Sequence, residues 1–307
     1  MGEKRSQALT SRGEQSLAYI VLVIPAVLIY FLVVAFPTVF SIVISLSDFK
    51  GGQVFGGTTD IHFAGVKSYI KMFTYPGGPF YVALKNNLLI VLMSVFGQIP
   101  LGFILAYILS RKLIKGVDFF QTVIYLPNII TPVIIGILFK SLYQGNNSLF
   151  MEITRLFKPD AEFVMSSQPM IPVLLVMLWM YSGMYVIIFL ANIQRIDVSI
   201  IEATKIDGAT EFQSLWYIVL PALSGVIVTS AILAISGSLK SFDLLYVMTG
   251  GGPAGQTSVL SLFMFDRAFK TSPDYPLANA ISTIMVIISF LLIAITQFTE
   301  KKFGGKE

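Results

Sequence analysis

Cysteine is absent from the 307 residues, histidine occurs once, and charged residues make up only 12% of the chain. The first absence excludes disulfides, thiolate metal sites and a cysteine nucleophile, while leaving the compartment open. The second leaves His62 with no further ligand near it, whereas a metal site needs about three or four; His62 is expected on the surface. The third decides the solvent. A soluble domain carries about a quarter charged residues. This chain, 55% apolar with mean hydropathy +0.79, cannot solvate its own surface in water, and a bilayer is its natural surroundings.

Other absences narrow the chemistry. No stretch reads G-x-x-x-x-G-K-[ST], so the glycine-rich TGGGPAG at 249–255 is expected to be a turn rather than a phosphate loop. No Ser/His/Asp set and no convincing carboxylate pair occurs, so the chain is expected to be no enzyme and to hold no cofactor of its own. The formal charge is +4. Its basic residues lie in short connections between apolar runs, as in membrane proteins. Without a dense basic patch, nucleic acid is not expected as a partner.

A membrane helix needs about 20 apolar residues. Six runs qualify, placed near 17–46, 84–109, 119–142, 170–192, 222–247 and 276–298. The first follows Arg5 and Arg12, but it is about twice as long as a signal peptide's apolar core and no small-x-small site closes it. It reads as an anchor. With the N-terminus inside, the inner segments hold 11 basic residues in 63 positions, against 7 in 91 outside. Both termini are therefore expected to be cytoplasmic. The expected organisation is a cytoplasmic segment 1–16, a first transmembrane helix 17–46 and an extracytoplasmic loop 47–82. A core of five transmembrane helices over 84–298 and a tail 299–307 complete it. The outer loop, with GGQVFGG and YPGGP, reads as turns.

One polar stretch, IEATKIDGATEFQSLWYIVLPAL at 201–223, lies between two of the most apolar runs, on the expected cytoplasmic face. It parses into two short helices over 197–220. Asp197 or Ser199 can cap the first, and Gly208 can end it in the left-handed conformation. Thr210 and Gln213 form a capping box for the second. Phe212, Leu215, Trp216 and Val219 fall on one stripe, and Pro221 marks entry to the fifth span. The pair can lie on lipid headgroups. However, its polar face has Glu202, Asp207 and Glu211 but only Lys205, which suits a protein partner with cationic groups better than an anionic membrane.

EATKIDGA followed by W-x-I-x-L-P resembles the cytoplasmic E-A-A…D-G-A…I-x-L-P motif of the membrane subunits of binding-protein-dependent ABC importers. The spacings from Glu202 to Gly208 and from Gly208 to Pro221 match, and Thr204 replaces the usual second alanine. FDLLYVMTGGGPAGQTSVLSLFMFDRAF at 242–269 and YLPNIITPVIIGILFKSLY at 125–143 are similar to the carbohydrate branch, the maltose and glycerol-phosphate type. The resemblance covers roughly 65–300. It implies an all-α membrane protein of six transmembrane helices with the type I ABC importer permease fold. It also implies a second permease subunit in a heterodimer, two ATPase subunits carrying ATP and Mg, and an extracytoplasmic solute-binding protein. The polar stretch would be the coupling helix, with Glu202, Ala203, Asp207, Gly208, Ala209, Phe212, Trp216, Leu220 and Pro221 meeting the ATPase.

Ionisable groups inside spans are candidates for a pathway, because burying charge in hydrocarbon is costly. Lys85 and Lys140 lie at span ends and can snorkel. Lys240 and Asp243 are three residues apart on one face of the fifth span. They either neutralise each other as a packing pair or line a pathway for polar cargo. Ser238 and Ser241 in ISGSLKSFD (235–243) match, by the resemblance, positions whose polar side chains contact sugar. In LWMYSGMY (178–185), Tyr181 and Tyr185, with Met184 between them, can stack on sugar rings. Tyr181 aligns with the pathway by the resemblance, whereas Trp179 suits a membrane-interface belt or helix packing. The function expected is a permease subunit importing a carbohydrate, an oligosaccharide by preference. Glycerol phosphate or phosphodiester cargo is the alternative within the family. An ion-coupled secondary transporter would suit GQIPLG (97–102) and a buried Lys–Asp pair but leaves the capped helix pair unexplained. A mere membrane anchor would not need polar groups within spans.

Overall fold

The computed structural model describes residues 19–52, 61–111, 116–143, 152, 168–270 and 272–303. The expected cytoplasmic segment 1–16, the tail beyond residue 303 and most of the expected outer segment 143–169 lie outside these. The described residues form helices joined by turns, with one isolated antiparallel bridge between Ser47 and Phe63.

Helix α1 covers Tyr19–Ser45 and α3 covers Pro79–Ser110, with α2, Lys67–Thr74, between them. Helices α4, Val117–Ile129, and α5, Pro132–Tyr143, are followed by α6, Met170–Ile193. The polar stretch forms α7, Val198–Ile206, and α8, Glu211–Ala222. Then come α9, Ser224–Leu239, α10, Asp243–Met248, α11, Leu260–Phe269, and α12, Tyr275–Phe303. Helices α1, α3, α6 and α12 are each long and apolar enough to cross a membrane. Counting each of the bent pairs α4–α5 and α8–α9 as one span gives up to six candidate spans by length and composition, where the sequence predicts six.

Two of the expected spans are not single helices. The run 119–142 turns by 91° between α4 and α5. Thr131 precedes Pro132, whose ring disfavours helical backbone in the residue before it, and the chain is already extended at Ile130, with ψ 137°. The run 222–247 stops at Leu239 and restarts at Asp243, leaving Lys240, Ser241 and Phe242 outside helix. The outer loop expected to be turns also holds a helix, α2, within 47–82, and α11 lies between the fifth and sixth expected spans. There Leu260 and Leu262 are fully buried, and Leu260 and Phe263 pack with Phe80 of α3 and Leu277 and Ile281 of α12.

Proline explains a second set of irregularities. Widened π turns at Phe31–Ala35, Ser94–Gln98 and Leu215–Val219 each end two residues before a proline, namely Pro37, Pro100 and Pro221. Proline lacks the amide that would bond back along the helix, and its ring crowds the carbonyl four residues earlier. A turn with one extra residue relieves the clash without ending the helix.

The core is centred on α6, more than half of whose most apolar stretch is buried, whereas the corresponding stretch of α1 has no buried residue. Glycine permits the closest approaches. A Cβ on Gly102 of α3 would lie 2.5 Å from the Tyr185 Cβ, and one on Gly183 of α6 would lie 2.4 Å from the Ile124 carbonyl oxygen of α4. Phe103 and Phe189 meet edge to face at 5.5 Å along the same α3–α6 seam. On the other side, α12 packs on α1, where the Ser41 hydroxyl donates to Asn279 at 2.6 Å.

Candidate functional site

The break between α9 and α10 is held open by side chains from distant parts of the chain. The Asn87 amide of α3 donates to the Ser238 carbonyl at 3.0 Å, and its side-chain oxygen accepts from the Leu260 amide at 2.7 Å. One fully buried side chain thus holds the end of α9 and the start of α11. Neighbouring Asn86 donates to the carbonyls of Gln256 and Ser258 at 2.7 and 2.8 Å. The Ser261 hydroxyl donates to the Ser241 carbonyl at 2.5 Å. Buried polar groups require such partners, and these supply them for a stretch with no helical ladder of its own.

Beside this break lies a cavity of about 320 Å³ between α3, α6, α9 and α10. Its lining includes all seven sequence-predicted pathway residues: Tyr181, Met184, Tyr185, Ser238, Lys240, Ser241 and Asp243. Of the two readings of Lys240 and Asp243, a neutralising pair is not formed. The helix ends before Lys240 and a new one starts at Asp243, both residues are exposed, and no ion pair joins them. Each charge is thus free to meet a ligand.

The serines are more committed. Ser238, 4% exposed, donates its hydroxyl to the Ser94 hydroxyl at 3.0 Å, and Ser241 donates to the Ser238 carbonyl at 2.7 Å. As donors they hold the helix break; their remaining capacity is as acceptors. Sequence reasoning missed Ser94, Gln98, Pro132 and Phe242, which also line the cavity. Gln98 is 2% exposed and donates to the Met177 carbonyl at 3.0 Å. A signal existed, since Pro100 in the middle of an apolar run marks a widened turn just ahead of it.

The remaining span residues stand apart from the cavity. Trp179 is 47% exposed and meets Phe139 edge on at 5.6 Å, as a packing or belt residue would. Lys85 and Lys140 are exposed on α3 and α5. His62 is exposed, and its backbone amide donates to Asp48 at 2.9 Å. Among the described residues no group of three or more His, Cys, Asp or Glu side chains can hold a metal. TGGGPAG is a turn against which the Thr257 hydroxyl packs, 2.7 Å from the Thr249 hydroxyl and 2.8 Å from the Gly252 carbonyl.

The α7–α8 segment is the second candidate site. Asp197 caps α7 by accepting the Ser199 amide at 2.9 Å, which holds its carboxyl below the usual carboxylate range. Gly208 has φ +78°, so the chain reverses through a conformation that favours glycine. Thr210 and Gln213 form the reciprocal capping box, at 2.8 and 3.2 Å. Glu202, Ala203, Asp207 and Pro221 are exposed, while Ala209 and Leu220 are partly covered.

The expected stripe on α8 divides. Leu215 and Val219 face the core, whereas Phe212 and Trp216 stand 69% and 57% exposed with their rings stacked 6.2 Å apart. The π turn at Leu215–Val219 adds a residue to the turn and rotates the remainder of the helix. A cavity of about 350 Å³ opens between α7 and α8 against Asp207, Gly208 and Ser214. Another of about 400 Å³ lies where α7 meets the ends of α3 and α6, lined by Glu202, Lys205, Arg111 and Gln194.

Known proteins are similar to this chain over most of its length. Residues 98–304 match the family described as binding-protein-dependent transport system inner membrane component. The chain is 32% identical over 250 residues to the probable ABC transporter permease protein YurN of Bacillus subtilis, covering 80% of this chain and 84% of that one. It is 32% identical over 249 residues to the multiple sugar-binding transport system permease protein MsmF of Streptococcus mutans, covering 81% and 84%. Its fold matches a chain of a bacterial alginate ABC transporter solved in complex with an alginate pentasaccharide-bound periplasmic protein. That match has a TM-score of 0.79 at 17% identity and covers 95% of this chain and 97% of that one. The chain belongs to the family of inner membrane components of binding-protein-dependent transport systems.

Proposed function

We propose that the chain forms half of the translocation pathway of an ATP-driven importer for a carbohydrate, an oligosaccharide by preference. The observation that carries this reading is the cavity beside the α9–α10 break. Tyrosine rings can cover the apolar C–H faces of a sugar, while serine, glutamine, lysine and aspartate atoms around them meet its hydroxyls. That mixture of apolar walls and few polar groups is typical of small-molecule sites. A phosphodiester would find only Lys240 as a cation, with Asp243 beside it. The name of MsmF and the alginate pentasaccharide at the alginate transporter support a sugar as cargo.

The α7–α8 segment is the coupling element in this reading. It is exposed, internally capped and bears a stacked aromatic pair, as suits insertion into a soluble partner. ATP and Mg belong to two ATPase subunits, a similar but distinct permease completes the pathway, and an extracytoplasmic binding protein delivers the sugar. Both termini and α7–α8 face the cytoplasm. Closure of the ATPase dimer displaces the segment, the cavity changes from inward- to outward-facing, and sugar enters from the binding protein. Hydrolysis then resets the two-state cycle.

The test is sugar-stimulated ATP hydrolysis by the co-expressed complex in lipid, with the native chain and with Gly208→Pro. Proline cannot adopt the φ of +78° at this position. The native complex should respond to its binding protein and sugar, and the variant should lose ATPase subunits or uncouple. Uptake that instead follows an imposed ion gradient, with no ATPase subunit co-purifying, would overturn the reading.

A further inference from the structure

A cluster at the end of α3 serves no part of the cavity. Arg111 directly follows α3, and only 17% of its side chain is exposed. Its Nη2 donates to the Tyr107 hydroxyl at 2.7 Å and forms an ion pair with a Glu211 carboxylate oxygen at 2.9 Å. The guanidinium also lies 4.8 Å from the centre of the Tyr107 ring. Tyr107 in turn donates to the same Glu211 oxygen at 3.0 Å. The three side chains close a triangle, in which one carboxylate oxygen accepts from the tyrosine and pairs with the arginine four residues further along.

The carboxylate belongs to the first residue of α8, inside the Thr210–Gln213 capping box. An isolated exposed ion pair holds its partners weakly. Here the arginine is largely covered, lies over a ring and is hydrogen-bonded to the tyrosine that also holds the carboxylate, while the Glu211 side chain stays 60% exposed. The apolar contacts of Leu215 and Val219 join the same elements, but such contacts can slide. From Arg111, α3 runs through Pro100 to the π turn that ends at Gln98, roughly 20 Å away at 1.5 Å per residue. Gln98 and Ser94 line the cavity.

We propose that Arg111 is a positioning residue, which with Tyr107 clasps α8 to α3 so that displacement of α7–α8 moves the helix wall carrying Ser94 and Gln98. This rests on reading α7–α8 as the coupling segment. The clasp sets the register between the two elements, and the continuous helix carries the displacement to the cavity.

Two measurements test it, each on the native chain, Arg111→Glu, Glu211→Arg and the exchanged double variant. Because the chain lacks cysteine, spin labels at Ile108→Cys and Ile206→Cys report the α3–α7 distance in the full chain in lipid. Each single variant should broaden the distance distribution, and the exchange should narrow it again. Unchanged distributions would overturn the clasp. In the reconstituted complex, ATP hydrolysed per sugar imported should rise about tenfold in the single variants and return to within about threefold in the exchange. If the native complex responds to sugar and the ratio is the same in all variants, the clasp transmits nothing and the proposal falls alone. If the native complex shows no sugar-stimulated hydrolysis, the coupling reading falls and takes the proposal with it.

Discussion

Along α7 and α8 the capping hydrogen bonds join residues two or three positions apart: Asp197 with Ser199, and Thr210 with Gln213. Around the cavity they join Gln98 to Met177, Ser238 to Ser94 and Asn87 to Leu260, separations of 79 to 173 residues. The first region carries its own shape and can move as a unit. The second exists only when α3, α6, α9 and α11 are assembled, so its polar groups are as much structural as chemical. A self-capped segment and an assembled cavity thus differ in where their hydrogen bonds are placed.

The largest effects should come from the assembled side. Gly183→Leu would drive a Cβ to 2.4 Å from a backbone oxygen of α4, and backbone cannot step aside as a flexible side chain would. Overpacking of this kind costs roughly 3 kcal/mol or more. The variant should be lost from the membrane fraction, as size-exclusion in detergent would show; normal assembly would mean that α4 and α6 can separate without loss of the fold. Asn87→Leu comes next. It leaves the buried Leu260 amide without its partner and removes one donor from the Ser238 carbonyl, which keeps the Ser241 hydroxyl. With the orphaned amide costing about 1–3 kcal/mol, thermal unfolding should drop clearly and uptake should fall with it. An unchanged melting temperature would show that the α9–α10 break does not depend on α3.

The α7–α8 segment was legible in the sequence because its determinants are local. Capping residues, a glycine where the chain turns left-handed, and a proline at the next entry are readable without knowing any neighbour. The candidate spans were legible for the same reason, since length and apolarity are properties of a run. What escaped was set by packing and by proline. The 91° turn at Pro132, the helix α11 and the three π turns each depend on how a segment meets others, or on a backbone response that periodicity does not record. The cavity lies between these cases. Its polar and aromatic residues stood out against apolar runs, yet the separation of Lys240 from Asp243 required the helix break to be seen.

Smaller effects test the local side. Gly208→Ala meets no atom within 4 Å, so only the φ of +78° opposes it. The expected destabilisation is about 1–2 kcal/mol, the cost of left-handed backbone for an ordinary residue. Sugar-stimulated hydrolysis should fall while hydrolysis without sugar changes less. A loss as complete as that of Gly208→Pro would point to a direct contact at this position rather than to backbone geometry.

The smallest effect belongs to Asp197, whose carboxyl is held below its ordinary range first by the backbone amide hydrogen bond of Ser199. A depressed carboxylate stabilises the folded state fully above its unfolded pKa of about 3.9, and the contribution fades as pH falls through the lower folded value. Around neutral pH the cap is therefore constant, and acidification below about pH 4 should loosen the start of α7 alone. Asp197→Asn retains a side-chain oxygen able to cap but has no proton to gain. Amide hydrogen exchange at Ser199 and Ile200 should speed up on acidification in the native chain, beyond the intrinsic pH effect, and stay flat in the variant. Equal pH dependence in both would show that the cap is not what holds α7 to its starting residue. The local encoding that sets this segment apart from the cavity would then rest on Gly208 and the Thr210–Gln213 box.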